Sequence, residues 1–278
     1  MRVGIDYRSG LVNVEGIGRY ARELVRGMIE EGFGGNLGLF GYTLKGAAFK
    51  RHELGIEGSR AELCRLRVPS RWIPWLLEKT GKGVDDLVGG CSVYHHTQPH
   101  RQHVREAIEV ATIFDAIYTL NAGYLSDEAA EHMTKTAKAM IARVKRVLVP
   151  CEYVGAEVVM SLGAHPSRVS VTPLGCDHIA RNLPPGGFGP PAEPYVLTVS
   201  RVDARKNHLR MLEAFERLIK ETSHPHRWVI AGPPGHGVEV FERALAESPA
   251  RSRVEWRRYV PDEQLPKLYS QADVFLFA

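Results

Sequence analysis

The chain has 278 residues, of which 44% are hydrophobic and 24% charged, enough for two domains with separate cores, and this balance excludes global disorder. A formal charge of +4 is compatible with phosphate-bearing ligands or an anionic membrane surface and selects neither. Cys64, Cys91, Cys151 and Cys176 are scattered, which excludes a disulfide framework or a cysteine metal site and points to a reducing compartment. A strand at 3–6 follows Met1-Arg2 directly, without the apolar stretch of a signal peptide, and no apolar run approaches the roughly 20 residues of a spanning helix. A cytoplasmic chain is expected, with peripheral contact at the inner face of a membrane left open and no nucleic-acid partner.

A loop over 7–15 leads to an amphipathic helix with Ile17, Tyr20, Leu24, Val25 and Met28 on one face. Gly16 and Gly18 with Ala21 mimic a dinucleotide-binding fingerprint, but the spacing argues against it. In that fingerprint the glycines follow the strand at once, so that a pyrophosphate sits on the helix N-terminus. Strands are expected at 37–42 and 63–68, then a short helix at 71–79 with Trp72, Trp75 and Leu76 packed along one side on the core or a partner. A brief segment at 84–88 precedes a strand at 92–95. The stretch His96-Thr97-Gln98-Pro99-His100-Arg101-Gln102-His103 is rich in histidine, yet no cysteine or carboxylate nearby completes a metal site. It is expected to be a polar loop at the mouth of a ligand cleft.

A strand over 107–114 ends at Asp115. The long helix at 126–144 has Ser126 as its cap and acidic residues in its first turn, while Arg143, Lys145 and Arg146 gather at its far end, complementing the helix dipole or meeting lipid phosphates. A strand at 147–149, a helix opening at Cys151-Glu152 and a strand beginning at Val169 follow. Residues 181–194, dense in proline and glycine, build no core and read as a linker. Beyond it the βαβα rhythm resumes, with strands at 195–199, 228–231, 254–256 and 273–277. The most informative stretch is 195–212. A strand buried on both faces feeds a polar turn carrying Arg201, Arg205 and Lys206, and Asn207 stands at the N-cap position of an amphipathic helix. Cations beside unpaired helix N–H groups suit a diphosphate; a solvated basic turn is the alternative. Gly232 and Gly235 at the next strand end leave room for a ligand to approach.

The run Val199-Ser200-Arg201-Val202-Asp203-Ala204-Arg205-Lys206-Asn207-His208 resembles the donor-binding turn of group 1 (family 4) retaining glycosyltransferases with the GT-B fold. Gly16-Ile17-Gly18-Arg19-Tyr20 resembles the opening of that family's first helix, and Tyr259-Val260-Pro261-Asp262 the turn against which the nucleotide base lies. The resemblance implies an α/β chain of two Rossmann-like doubly wound domains facing a cleft. It divides the chain into an acceptor-side domain at 1–180, the linker at 181–194 and a partial donor domain at 195–278. It implies Arg201 and Lys206 as stabilisers of the leaving diphosphate, with Asp115 as a third catalytic candidate. Gly16, Gly18, Gly232, Tyr259 and Val260 fall on the donor side, and His96 and Thr97 on the acceptor side. Two departures stand out: Phe114 replaces the family's strand-end histidine near the reacting sugar, and Cys151 replaces a serine cap and reads as non-nucleophilic.

The implied reaction is transfer of a sugar from a nucleotide-sugar donor to a hydroxyl of a saccharide or lipid-linked acceptor, with retention and without a cofactor or bound metal. A nucleotide-sugar 2-epimerase of the same fold and a non-catalytic nucleotide-binding fragment are the alternatives. The family's pair of glutamates and returning helix have no counterpart in the sequence, so a truncated donor domain with weak or no activity is expected.

Overall fold

The computed structural model describes residues 1–13, 16–44, 51–100, 102–120 and 125–278. Val14 and Glu15 of the expected 7–15 loop, and Arg101 of the histidine-rich loop, lie outside the described residues. The chain divides into two compact units, Met1–Leu174 and Gly175–Ala278.

The first unit is built on a seven-stranded parallel sheet in the order β3-β2-β1-β4-β5-β6-β7. The strands are β1 Val3–Asp6, β2 Leu37–Tyr42, β3 Glu62–Leu66, β4 Val93–His96, β5 Ile108–Thr112, β6 Arg146–Val149 and β7 Val169–Val171. Helices α1 Arg8–Val12, α2 Gly16–Met28, α3 Ile73–Thr80, α4 Val84–Leu87, α5 Asp127–Arg143 and α6 Glu152–Leu162 form the crossovers. All four residues of β1 are buried, as expected of a central parallel strand covered on both faces. Strand order reverses between β1 and β4, which opens a crevice beyond their carboxyl ends. The α5 terminus follows the sequence reading: Ser126 Oγ accepts from Ala129 N at 3.3 Å. Elsewhere the structure differs. The expected 7–15 loop contains α1, and the buried side of α3 is Ile73 and Leu77, while Trp72 and Trp75 are 52% and 57% exposed. The apolar positions that matter are spaced i, i+4, so the two tryptophans point off the core.

The second unit carries α7 Asp177–Ala180, β8 Tyr195–Val199, α8 His208–Glu221, β9 Arg227–Ala231, α9 Val238–Glu247, β10 Val254–Arg257, α10 Leu265–Gln271 and β11 Val274–Phe275. Its parallel sheet runs β10-β9-β8-β11, reversing between β8 and β11. Trp228, fully buried, anchors the core between Phe215 and Phe241, and its Nε1 donates to Thr198 Oγ1 at 2.9 Å. Residues 175–194, expected as the end of the first domain and a linker, group with this unit. Ile179 packs against the cluster that holds Tyr195, Leu197, Leu265 and Leu268, and Gln271 Nε2 donates to Gly189 O.

Candidate functional site

In the second unit, the turn after β8 is laced to the loop after β9 by backbone alone. Ser200 N donates to Ala231 O (3.0 Å), Val202 N to Pro233 O (2.9 Å), Gly235 N to Val202 O (2.8 Å) and Ala204 N to His236 O (2.9 Å). Two glycines make this possible. Gly232 sits at φ 151°, and a Cβ there would lie 2.0 Å from Ser200 O. A Cβ on Gly235 would press to 2.7 Å from Arg201 Cδ. The expected donor-side Gly232 is therefore held by loop-to-loop contact, whatever else passes it.

Asp203 Oδ1 accepts from Arg205 N at 3.0 Å and caps a short 3₁₀ turn over Ala204–Lys206. Asn207, expected as an N-cap, adopts a left-handed conformation (φ 55°, ψ 35°), and its side chain makes no capping bond; α8 starts at His208. The reason is local: the 3₁₀ turn already carries the chain to the helix, and only a reversal at Asn207 joins the two. The Asn207 side chain thus caps none of the first amides of α8. Arg201 is exposed, and the Lys206 ammonium lies 4.8 Å from the centre of the Phe277 ring. Of the expected base-side residues, Tyr259 is exposed, whereas Val260 packs against the core that holds Leu265 and Leu268.

In the first unit, a cavity of about 370 Å³ opens at the carboxyl ends of β4 and β5. Ile17, Pro99, Ile113, Phe114 and Met133 supply its apolar wall, and Gln98, His100, Asp115, Tyr118, His132 and Thr136 its polar one. Phe114, standing where the resemblance places histidine, meets the Tyr20 ring edge-on at 4.8 Å. Tyr118 Oη and Thr136 Oγ1 are buried without a hydrogen-bond partner among the described residues. Such groups cost free energy unless a ligand or water satisfies them. Asp115 Oδ1 accepts from Ile117 N at 3.3 Å, which braces the turn after β5, and the residue is otherwise exposed at the cavity. Sequence reasoning did not select His132, Met133 or Thr136. Their i, i+1, i+4 spacing along α5 placed them on one helical face, which was the available signal.

Gly18 belongs to the scaffold, because a Cβ there would lie 2.0 Å from Asn13 O; Gly16 faces open space. His96 and Thr97, expected to meet an acceptor, are both fully buried and already engaged. His96 Nε2 is 2.8 Å from Glu109 Oε2, and Thr97 Oγ1 donates to Asp6 O at 2.8 Å. They brace the crevice, and the residues that reach it are Gln98 and His100, one turn of chain further on. Burial alone would raise the Glu109 carboxyl, but the His96 hydrogen bond and the Arg143 guanidinium outweigh it and hold it low. His95 shares a 2.8 Å hydrogen bond with Thr112 Oγ1, which in turn meets Tyr20 Oη at 3.0 Å. Burial, with His96 adding to it, pushes the His95 imidazole down to about 4. Burial also lowers His100, despite Asp6 Oδ2 at 3.6 Å. Among the described residues, no three His, Cys, Asp or Glu side chains are grouped so as to hold a metal ion, and no helix is long and apolar enough to cross a membrane.

Residues 187–278 match the family described as glycosyl transferases group 1. The O-antigen chain mannosyltransferase B of Escherichia coli is 24% identical over 194 residues, which cover 66% of this chain and 50% of that protein. The aligned stretch thus spans about half the length of that relative. Among solved structures, sucrose-phosphate synthase from Thermosynechococcus elongatus superposes with a TM-score of 0.66 at 16% identity, over 99% of this chain and 74% of that one. Anabaena HepE in complex with UDP and glucose gives 0.64 at 13% identity, over 99% and 73%. WaaG, a glycosyltransferase involved in lipopolysaccharide biosynthesis, gives 0.62 at 14% identity, over 100% and 74%. The cationic turn and the glycine loop behind it both lie inside the segment, 187–278, that is similar to the group 1 glycosyl transferases, and the chain has the α/β fold of the GT-B glycosyltransferases.

Proposed function

We propose that the protein transfers a hexosyl group from a nucleotide diphosphate sugar to an acceptor hydroxyl, with retention at the anomeric carbon and without a divalent metal, in the assembly of a bacterial polysaccharide or glycolipid. The observation that carries this reading is the turn after β8, which carries Arg201 and Lys206 and enters α8 through an Asn207 whose side chain makes no capping bond. As the anomeric C–O bond breaks, negative charge grows on the departing diphosphate. A guanidinium and an ammonium fixed on a backbone-laced turn meet that charge with little reorganisation. Lys206, half-buried, leaves its place over Phe277 to do so, giving up a cation–π contact of about 1 kcal/mol.

The acceptor belongs, in this reading, to the cavity of the first unit. A saccharide ring lays its apolar face on Phe114 and gives hydroxyls to Tyr118 Oη and Thr136 Oγ1, which otherwise lack partners. The similarity to an O-antigen chain mannosyltransferase, and to a glycosyltransferase involved in lipopolysaccharide biosynthesis, supports a glycan or lipid-linked acceptor.

Calorimetry with UDP and GDP, followed by initial-rate assays with matching nucleotide hexoses, tests the donor side. Lys206→Ala and Arg201→Ala are each expected to weaken diphosphate binding and to lower kcat by about 10²–10³. Unchanged binding and turnover in both variants would remove the assignment.

A further inference from the structure

Residues 67–82 of the first unit present a feature that the transferase reading does not use. The rings of Trp72, which closes the 3₁₀ turn Ser70–Trp72, and of Trp75, on α3, are 52% and 57% exposed, while Ile73 and Leu77 of α3 are buried in the core. Arg67, Arg71, Lys79 and Lys82, all exposed, belong to the same segment, against the single carboxylate of Glu78. The Lys79 ammonium lies 5.4 Å from the centre of the Trp75 ring. Apolar surface of this size left in water and rimmed by one sign of charge marks an interaction site.

We infer that this face of α3 docks on an anionic lipid bilayer, the two indoles entering the headgroup layer and the four cations meeting lipid phosphates. Indole suits that layer because its ring is apolar and its N–H stays hydrated. The stacked Lys79 distinguishes a bilayer from a protein partner. The core of a protein interface is depleted in lysine, since its ammonium would be stripped of water, whereas at a membrane surface the ammonium rests among phosphates at the same depth as the ring. The segment from Arg67 to Lys82 carries four cations and one anion, which matches a negative surface and not a neutral one. This inference stands on the surface itself and needs no donor or transfer activity.

The test uses the whole chain and extruded vesicles of phosphatidylcholine alone or with one quarter phosphatidylglycerol, in sedimentation assays at 50 and 300 mM salt. Binding is expected only to the anionic vesicles and is expected to fall with salt. Trp72→Ala/Trp75→Ala should weaken it about tenfold or more, and Lys79→Glu and Lys82→Glu each by about fivefold or more. Lys145→Glu/Arg146→Glu, at the far end of α5, should leave it unchanged. Brominated lipid should quench the fluorescence of the native chain far more than that of the double tryptophan variant, because the two remaining tryptophans, Trp228 and Trp256, pack in the core of the second unit. All substituted side chains are exposed, and circular dichroism checks that each variant is folded. No binding by the native chain at 50 mM salt, or equal binding by the double tryptophan variant, overturns the inference. Sedimentation velocity showing that the patch instead joins two copies of the chain overturns it as well.

Discussion

His95 carries the clearest consequence at the scale of a single side chain. Its imidazole is held neutral in the folded state, with a pKa near 4, whereas an unfolded histidine titrates near 6.5. Below the unfolded value the unfolded chain binds the extra proton, so stability is full above about pH 6.5 and is lost as pH falls toward 4, by about 3 kcal/mol. Urea midpoints measured at pH 7.5 and 4.5 should differ more for the native chain than for His95→Gln, which keeps a partner for Thr112 but cannot be protonated. Gly232 gives a second expectation. With φ at 151° and no room for a Cβ beside Ser200 O, Gly232→Ala should cost about 2–4 kcal/mol, read as a drop in Tm. At this scale the sequence was informative where charge and backbone freedom decide. Arg201, Lys206 and Gly232 stand on one pair of laced loops. It was not informative where a side chain acquires its meaning from a distant strand. Nothing in His96-Thr97 revealed that Glu109 and the Asp6 carbonyl, brought alongside by β5 and β1, would draw both inward.

Among elements, the parallel strands were legible because burial on both faces leaves apolar runs such as Tyr195–Val199. The 3₁₀ turns were not, because three residues have no period to detect, and one of them at Ala204–Lys206 displaced the expected cap at Asn207. Helix α4 shows how much a short element can hold in place. Asp85, almost fully buried, accepts from the amides of Arg105, Glu106 and Ala107 at 2.9, 2.8 and 3.1 Å and so fixes the entry into β5. Burial by itself would raise this carboxyl; the three backbone donors more than reverse that and lower it. Asp85→Ala should destabilise the fold by about 3 kcal/mol or more at neutral pH, by thermal melting, since three amides lose a charged acceptor. The difference from the native chain should shrink once pH falls below the carboxylate range, where the acceptor is protonated in both folded and unfolded chains.

For the molecule as a whole, the two sheets have separate cores: the clusters around Leu37, Phe40 and Val147 lie in the first unit and that around Trp228 in the second. Two cores need not melt together. In a Trp72→Phe/Trp75→Phe variant the remaining tryptophans, Trp228 and Trp256, both report the second unit, while far-UV circular dichroism averages both units, so their urea transitions are expected to differ in midpoint. Coincident curves would mean that one unit cannot stand without the other. The two-sheet organisation was foreseen from the βαβ rhythm. The division at Leu174 was not, because Ile179 packs on the second unit's core and Gly189, in the stretch that looked like a free tether, accepts from Gln271, contacts that composition cannot register.

The lacing of the turn after β8 separates shape from chemistry. Its path is drawn by main-chain bonds, two glycines and one aspartate, none of which is a cation. The main-chain frame would therefore survive a change of charge at 201, 205 or 206: a lineage could retune this socket for a different leaving group by exchanging those side chains, with only the packing of Arg201 on Gly235 and of Lys206 on Phe277 to be remade.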